Sequence, residues 1–222
     1  MPKLPSFARI DLWARREAEA LSVTVRGLEA LAAEPPPDGD EDSLNWALAH
    51  HIRHAVLAGR RAGEISLEPP TLEPRSPSTG PVALGPEERD RKRPDLVWHL
   101  CDDLAAPGDA PFLDLVVECK RLGGGGLSRL YVAKGVARFV NEEHAYAKGM
   151  RSAFMVGYLQ NISADSAERG VAGALTSVGL APLTDPTLPG ATFGQELRRA
   201  FPADPFALHH LWHSVPASLA ST

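Results

Sequence analysis

Two runs of the chain, Arg93-Pro94-Asp95-Leu96-Val97-Trp98 and Leu115-Val116-Val117-Glu118-Cys119-Lys120, carry most of the information about its architecture. Asp95 opens the apolar part of the first run, and Glu118 follows three aliphatic residues 23 positions later. Successive side chains of a strand point to opposite faces, so Glu118 and Lys120 share one face and Cys119 lies on the other. The second run therefore predicts a buried strand that carries an acid and an ammonium group on one face of a sheet.

Turn-forming residues separate the two runs, among them Pro107-Gly108-Asp109, so residues 94–122 are predicted to form a β-hairpin. Pairing of its strands would bring Asp95 beside Glu118. Two adjacent carboxylates repel unless a cation lies between them, and a hard divalent ion is the usual solution. A lysine beside such a pair can orient or deprotonate an attacking water, or stabilise charge on a phosphate. The alternative is that Asp95 begins a strand by chance and that Glu118 and Lys120 form only an ion pair.

The pattern Pro94-Asp95, a gap, then Glu118-x-Lys120 resembles the active site of the PD-(D/E)XK nuclease superfamily, which has the restriction-endonuclease-like fold. No subfamily is identified. The resemblance implies an α/β fold, with a central mixed β-sheet flanked by helices in the order αβββαβ and an extra N-terminal helix. It also implies that Asp95 and Glu118 are catalytic metal ligands, that the main-chain carbonyl of Cys119 is a third ligand, and that Lys120 is the catalytic lysine. The implied cofactor is Mg²⁺, for which Mn²⁺ would substitute.

In that superfamily the helix before the hairpin often adds an acid to the metal site, and Glu41 is the candidate here, followed by Asp42. The alternative is that both residues only stabilise the start of a helix. Basic residues near the motifs are candidates for binding the nucleic-acid backbone, although each can also be an ordinary solvated side chain. They are Arg91, Lys92, Arg93, Arg121, Lys134 and Arg138.

Composition limits the choice of class. The chain has 222 residues, of which 44% are hydrophobic and 23% charged, and this balance predicts one globular domain. Its parts are a helical extension (1–36), the nuclease-like core (about 41–160) and a C-terminal helix and strand (161–222). The net charge of −5 argues against a protein that coats nucleic acid, but it allows a nuclease with a metal site. Two cysteines and no secretory apolar segment predict a cytoplasmic protein.

Hydrophobic periodicity predicts four helices, at 8–33, 42–58, 129–147 and 164–178. Besides the two motif strands, strands are predicted at 64–67, at 152–159 and, with alternating exposure, at 208–214. The order helix, strand, strand, strand, helix, strand matches the implied fold.

The leading functional hypothesis is a metal-dependent endonuclease that hydrolyses phosphodiester bonds, in DNA rather than RNA. It would serve in restriction, phage defence or repair, as a homodimer or as one subunit of a complex. The alternative is a non-catalytic nucleic-acid-binding or assembly subunit that retains the fold. A third hypothesis, a histidine-based hydrolase, lacks a serine or cysteine in a nucleophile turn. Its histidines would be His50, His54, His209, His210 and His213. Tryptophans on the apolar segments are assigned to the core in preference to base stacking, and these are Trp46, Trp98 and Trp212.

Overall fold

The structure is a computed structural model, and it describes residues 7–72, 94–101, 112–141, 146–147, 150–199 and 205–216. The described helices are α1 (Phe7–Ala33), α2 (Glu41–Arg61), α3 (Leu127–Lys134) and α4 (Ala164–Ser177), and a 3₁₀ helix spans Val136–Phe139. The described strands are β1 (Thr71–Leu72), β2 (Leu96–Cys101), β3 (Phe112–Leu122), β4 (Ser152–Leu159), β5 (Phe193–Leu197) and β6 (Phe206–Ser214). No described helix is long and apolar enough to cross a membrane.

The six strands form one mixed sheet in the order β1-β2-β3-β4-β6-β5. Strands β3, β4 and β6 are parallel neighbours, while β1, β2 and β5 pair antiparallel. The predicted hairpin is confirmed, since Leu96 pairs with Val117 and the register continues to Cys101 and Phe112. Asp95 precedes β2 by one residue, so it lies at the end of the hairpin next to Glu118. The α/β class and the mixed sheet are thus confirmed.

Both faces of the sheet are covered, and alternate residues of each strand serve different cores. Leu115, Val117 and Cys119 of β3 pack with α1 and α2 on one face. Val116 and Leu122 pack with α3 and α4 on the other face. Glu118 and Lys120 alternate with Val117 and Cys119 along β3, so they lie on the same face as Val116 and Leu122. Both charged residues are therefore on the face of the sheet that α3 and α4 cover.

The strand predicted at 64–67 is wrong, because those residues are not in a strand and pair with none of the described strands, the first of which begins at Thr71. Ile65 and Leu67 are buried, which explains the apolar pattern. Between them, the main-chain N–H and the hydroxyl of Ser66 bond to the Glu19 carboxylate of α1. The Glu19 side chain of α1 therefore provides the hydrogen-bond acceptor for this segment that a neighbouring strand would otherwise provide.

The single helix predicted at 129–147 is also wrong, because α3 ends at Lys134 and a 3₁₀ helix follows Gly135. A Cβ at Gly135 would collide with the Met155 side chain of β4 and with the carbonyl oxygen of Tyr131. The backbone therefore lies against the sheet at this glycine, at the point where the regular helix ends.

At the C-terminal side, β6 begins at Phe206 and is buried along most of both faces, so the predicted alternation of exposure is wrong. It pairs with β4 on one edge and with β5 on the other, which makes it an internal strand. Strand β5 was not predicted, because its five residues, Phe-Gly-Gln-Glu-Leu, lack a β-branched run.

Candidate active site

Asp95 is held at the hairpin end by main-chain geometry. Its Oδ2 accepts a hydrogen bond from the main-chain N–H of Cys119, with 2.7 Å between the two atoms. The antiparallel register places the residue before Leu96 next to this part of β3. Asp95 is buried, and its carboxylate therefore has a defined orientation toward the face that carries Glu118.

Lys120 is the centre of the site. Its ammonium nitrogen lies 2.6 Å from the Cys119 carbonyl oxygen, 2.8 Å from Glu41 Oε1 and 2.9 Å from Glu118 Oε1. These three contacts match the three donors of an ammonium group. Asp95 Oδ2 is 3.7 Å away. An oxygen atom from each of the four predicted metal-ligand groups thus lies within 4 Å of a single nitrogen.

Glu41 is the first residue of α2, next to the residue that caps the helix. The side chain of Asp40, the residue before α2, accepts the main-chain N–H of Ser43 at 2.9 Å and its hydroxyl at 2.8 Å. The bond from the Ser43 N–H is the main reason that the pKa of Asp40 lies below its usual value. Asp42 is exposed. Of the two predicted candidates, Glu41 is therefore the one that contacts Lys120.

Arg138 joins the site from the 3₁₀ helix. Its guanidinium forms an ion pair with Glu118 Oε1 and lies 5.7 Å from the ring centroid of Tyr146. It was predicted as a nucleic-acid contact on a regular helix. Instead it is buried, and it supplies a second positive charge to the fully buried Glu118.

The charges of the site affect one another through a medium with little water. Burial raises the pKa of Glu118 to about 7, and the negative charge of Asp95 adds to this, while Lys120 and Arg138 oppose it. Burial alone would lower the pKa of Lys120, but the carboxylates of Glu118, Asp95 and Glu41 outweigh it and hold that pKa above its usual value. The ammonium form of Lys120 is therefore strongly favoured at neutral pH.

A hydrogen bond positions the helix that carries Glu41, and the sequence did not reveal it. The Tyr158 hydroxyl of β4 donates to Asn45 Oδ1 at 2.9 Å, and both residues are buried. Asn45 lies one helical turn after Glu41, on the same side of α2. The two partners are 113 positions apart, and nothing in either local sequence indicates the contact.

The other predicted nucleic-acid contacts are dispersed. Lys134 is exposed at the end of α3. Arg121 is partly buried on β3, and its Nε makes no hydrogen bond within the described residues. The basic run of Arg91, Lys92 and Arg93 lies outside the described residues.

The donor set can be tested for its fit to a metal ion. No group of three or more His, Cys, Asp or Glu side chains in the described part of the chain is arranged as a metal centre. The oxygens surround the Lys120 ammonium instead, and one of them is a main-chain carbonyl. Glu118 Oε2 is buried and has no hydrogen-bond partner among the described residues. An all-oxygen set with one uncommitted carboxylate oxygen suits a hard cation such as Mg²⁺.

The histidines do not assemble into a hydrolytic site. His50 and His54 contact each other on α2, with ring centroids 4.5 Å apart. His209 of β6 bonds to Glu17 of α1, and His210 bonds to Tyr131 on the opposite face. Within the described ranges, no hydrogen bond joins a histidine to a serine or cysteine. The geometry thus gives no support to a histidine-based hydrolase.

Comparisons of this chain with protein-family models, with curated proteins and with solved structures find no match.

Proposed function

We propose that this protein is a metal-dependent nuclease that hydrolyses phosphodiester bonds, preferentially in DNA, on a restriction-endonuclease-like core. The observation that carries the proposal is the convergence of four oxygen donors on one point. These donors are Glu41 Oε1, Asp95 Oδ2, Glu118 Oε1 and the Cys119 carbonyl oxygen. They come from α2, from the residue before β2 and from β3, so three separate segments of the chain assemble them.

These same four groups would hold a Mg²⁺ ion, or Mn²⁺ in its place, once the Lys120 ammonium moves from the point between them. The bound ion would polarise a non-bridging phosphate oxygen and lower the pKa of a water molecule at the phosphate. The carboxylates are pre-oriented, because the Cys119 N–H fixes Asp95 and the Asn45–Tyr158 bond fixes the helix of Glu41.

Lys120 acts in this proposal as a cation and hydrogen-bond donor. Its pKa is raised by three carboxylates, which makes it a poor general base. An ammonium group can orient the attacking water and stabilise the negative charge that develops on the phosphate. Arg138 adds a second positive charge next to the buried Glu118, and this compensation helps to preserve the carboxylate geometry.

The test is the substitution Lys120→Met, which keeps most of the aliphatic stem. We expect cleavage of plasmid and oligonucleotide substrates in Mg²⁺ to fall at least about 10³-fold, since the group that stabilises transition-state charge is removed. Mg²⁺ should still raise the unfolding temperature, because the four oxygen donors remain. Arg169→Met is the matched control, since Arg169 is an exposed cation on α4, away from the site, and it should leave cleavage unchanged. Undiminished cleavage by the Lys120→Met protein would contradict the proposal.

A second candidate is a non-catalytic nucleic-acid-binding or assembly subunit with the same fold. One observation favours it: Lys120 and Arg138 already neutralise two of the three carboxylates, so the cluster is nearly balanced by its own side chains. In that case Mg²⁺ and Mn²⁺ would not change the unfolding temperature, and Asp95→Asn would have no metal-dependent effect. Metal stabilisation that disappears in Asp95→Asn would exclude this candidate.

A further inference from the structure

Trp46 is an exception among the tryptophans. Trp13, Trp98 and Trp212 are buried in the two cores, whereas Trp46 on α2 is 64% exposed. Large aromatic side chains on a soluble surface are uncommon where nothing binds them, and they are frequent at recognition sites. The sequence placed Trp46 in the core, and the structure therefore corrects that assignment.

The exposed Trp46 begins a stripe along α2. At 100° per residue, His50, Arg53 and Leu57 fall within about 40° of it around the helix axis, and all three are exposed. Arg60 continues the stripe, where it pairs with Glu68. His54 and Arg61 border the stripe and are also exposed. This surface is called the α2 stripe below.

The α2 stripe is locally basic in an acidic protein. Residues 46–61 contain three arginines and three histidines but no aspartate or glutamate, while the whole chain has a net charge of −5. The surface thus combines an aromatic plane with guanidinium groups about two turns (Arg53) and about four turns (Arg60 and Arg61) further along the helix, while the exposed Asp42 lies one turn before Trp46. Positively charged tracks with interspersed aromatic side chains are typical of sites for single-stranded nucleic acid.

Other occupants fit this surface less well. A second copy of the same stripe would bring arginines against arginines, which is repulsive. A partner helix requires a continuous apolar face, whereas Trp46 and Leu57 are the only large hydrophobic residues of the stripe. Paired duplex DNA does not present the face of an internal base for stacking without being opened. An unpaired strand satisfies both the aromatic and the basic part of the surface.

We propose that the α2 stripe binds an unpaired segment of the substrate, with a base stacked on Trp46 and phosphates near Arg53 and Arg61. This inference rests on the proposed nuclease function, because it assigns the substrate class of that site. Trp46 lies five residues from Glu41, which is about 8 Å of helix rise and about 140° around the helix axis, and the Glu41 carboxylate contacts Lys120. A flexible single strand can follow the first turns of α2 over this distance. The protein therefore selects single strands, frayed ends or flaps over intact duplex.

The experiment is a fluorescence titration of the cleavage-deficient Lys120→Met protein with oligothymidylate and with a matched duplex. Stacking should quench the emission of Trp46, the only exposed tryptophan of the described chain. Trp46→Ala should weaken binding of the single strand about 5- to 150-fold, while Trp46→Phe should retain most of it. Arg53→Gln should remove about one phosphate contact. The slope of the logarithm of the binding constant against the logarithm of the salt concentration should then become shallower by roughly 0.7. Leu130→Ala, another exposed hydrophobic residue but on α3, is the matched control and should have no effect.

The outcomes separate this inference from the nuclease proposal. Unchanged single-strand affinity in Trp46→Ala overturns the inference, whether or not Lys120 is required for cleavage. A preference for duplex overturns it as well, as does a Trp46-dependent dimer in sedimentation without a change in nucleic-acid affinity. Trp46-dependent binding in a protein that never cleaves supports the inference and counts against the nuclease. Thermal unfolding of each variant verifies that these surface changes leave the fold intact.

Discussion

Asp40 and Glu41 are consecutive carboxylates with different partners. Asp40 caps α2 through Ser43, whereas Glu41 contacts the ammonium group of Lys120. At the scale of single residues, each carboxylate in or next to the site is held by a different partner. Asp95 is oriented by a main-chain N–H, while Glu118 is balanced by Lys120 and Arg138.

The role of Glu41 can be tested against its neighbour. Glu41→Gln should lower the affinity for Mg²⁺ at least about tenfold, because one charged oxygen donor becomes a neutral amide. Asp42→Asn removes the same charge one residue away and should leave the affinity within about twofold. Isothermal titration calorimetry, or the Mg²⁺ concentration needed to raise the unfolding temperature, measures both. Equal affinities for the two variants would exclude Glu41 from the proposed metal site.

At the scale of elements, the end of α3 at Gly135 is decisive for the site. A continuous helix would have carried Arg138 along the helix direction. The break and the 3₁₀ turn instead bring its guanidinium to Glu118 of β3. The close contact of Gly135 with Met155 and with the Tyr131 carbonyl leaves no room for a side chain.

Gly135→Ala is therefore expected to destabilise the protein by about 1–3 kcal/mol, since the new methyl group forces a shift of β4 or of the helix end. Gly173→Ala is the matched control inside α4, where nothing lies within 4 Å of an added Cβ. Alanine replaces a flexible glycine there, so this variant should be more stable by about 0.5–1 kcal/mol. Urea unfolding of both variants measures these two changes in the free energy of unfolding, which should have opposite signs. A Gly135→Ala protein as stable as wild type would show that the helix end adjusts without strain.

At the scale of the whole molecule, a chain of buried hydrogen bonds ties the second half of the sheet to α3. Trp212 Nε1 donates to the Tyr131 hydroxyl at 2.9 Å, and that hydroxyl lies 2.7 Å from His210 Nδ1. His210 Nε2 is 3.1 Å from Gln195 Oε1, and Gln195 Nε2 donates to the Ala181 carbonyl oxygen. Each donor meets one acceptor when His210 is neutral, with its proton on Nε2.

This series of hydrogen bonds through His210 predicts that the stability of the protein depends on pH. Burial lowers the pKa of His210 to about 3, and His209 adds to the effect, whereas a histidine of an unfolded chain titrates near 6.5. Between these values the unfolded state binds the extra proton, so the contribution of His210 to stability is lost as the pH falls. The loss is about 2 kcal/mol at pH 5.

The measurement is the free energy of unfolding of wild type and His210→Gln at pH 7 and pH 5. The difference between the proteins isolates His210 from Glu118, whose raised pKa acts with the opposite sign over part of this range. We expect the advantage of wild type to shrink by about 2 kcal/mol on acidification. His50→Gln, at an exposed position of α2, is the control. A constant difference between wild type and His210→Gln would show that His210 is not held neutral.

The sequence by itself determined the local features. Apolar periodicity located α1, α2, α4 and β4 to within a few residues, since one face of each element is read directly from the spacing of its apolar residues. The alternation of side chains along β3 placed Glu118 and Lys120 on one face, and the Asp95 and Glu118 motifs predicted the hairpin that pairs them. These conclusions need only contacts between residues that are close in sequence or paired by a turn.

Only the tertiary structure decided the contacts that join distant parts of the chain. It placed Glu41, the first candidate from the sequence, against Lys120, and a buried bond between Asn45 of α2 and Tyr158 of β4 holds that helix on the sheet. It placed Arg138 next to Glu118 through the end of α3 at Gly135, where Met155 of β4 leaves no room for a side chain. Trp46 stayed outside although its residue type predicts burial, since burial depends on which face of α2 meets the sheet. That face is set by packing over the whole molecule, which no local pattern contains.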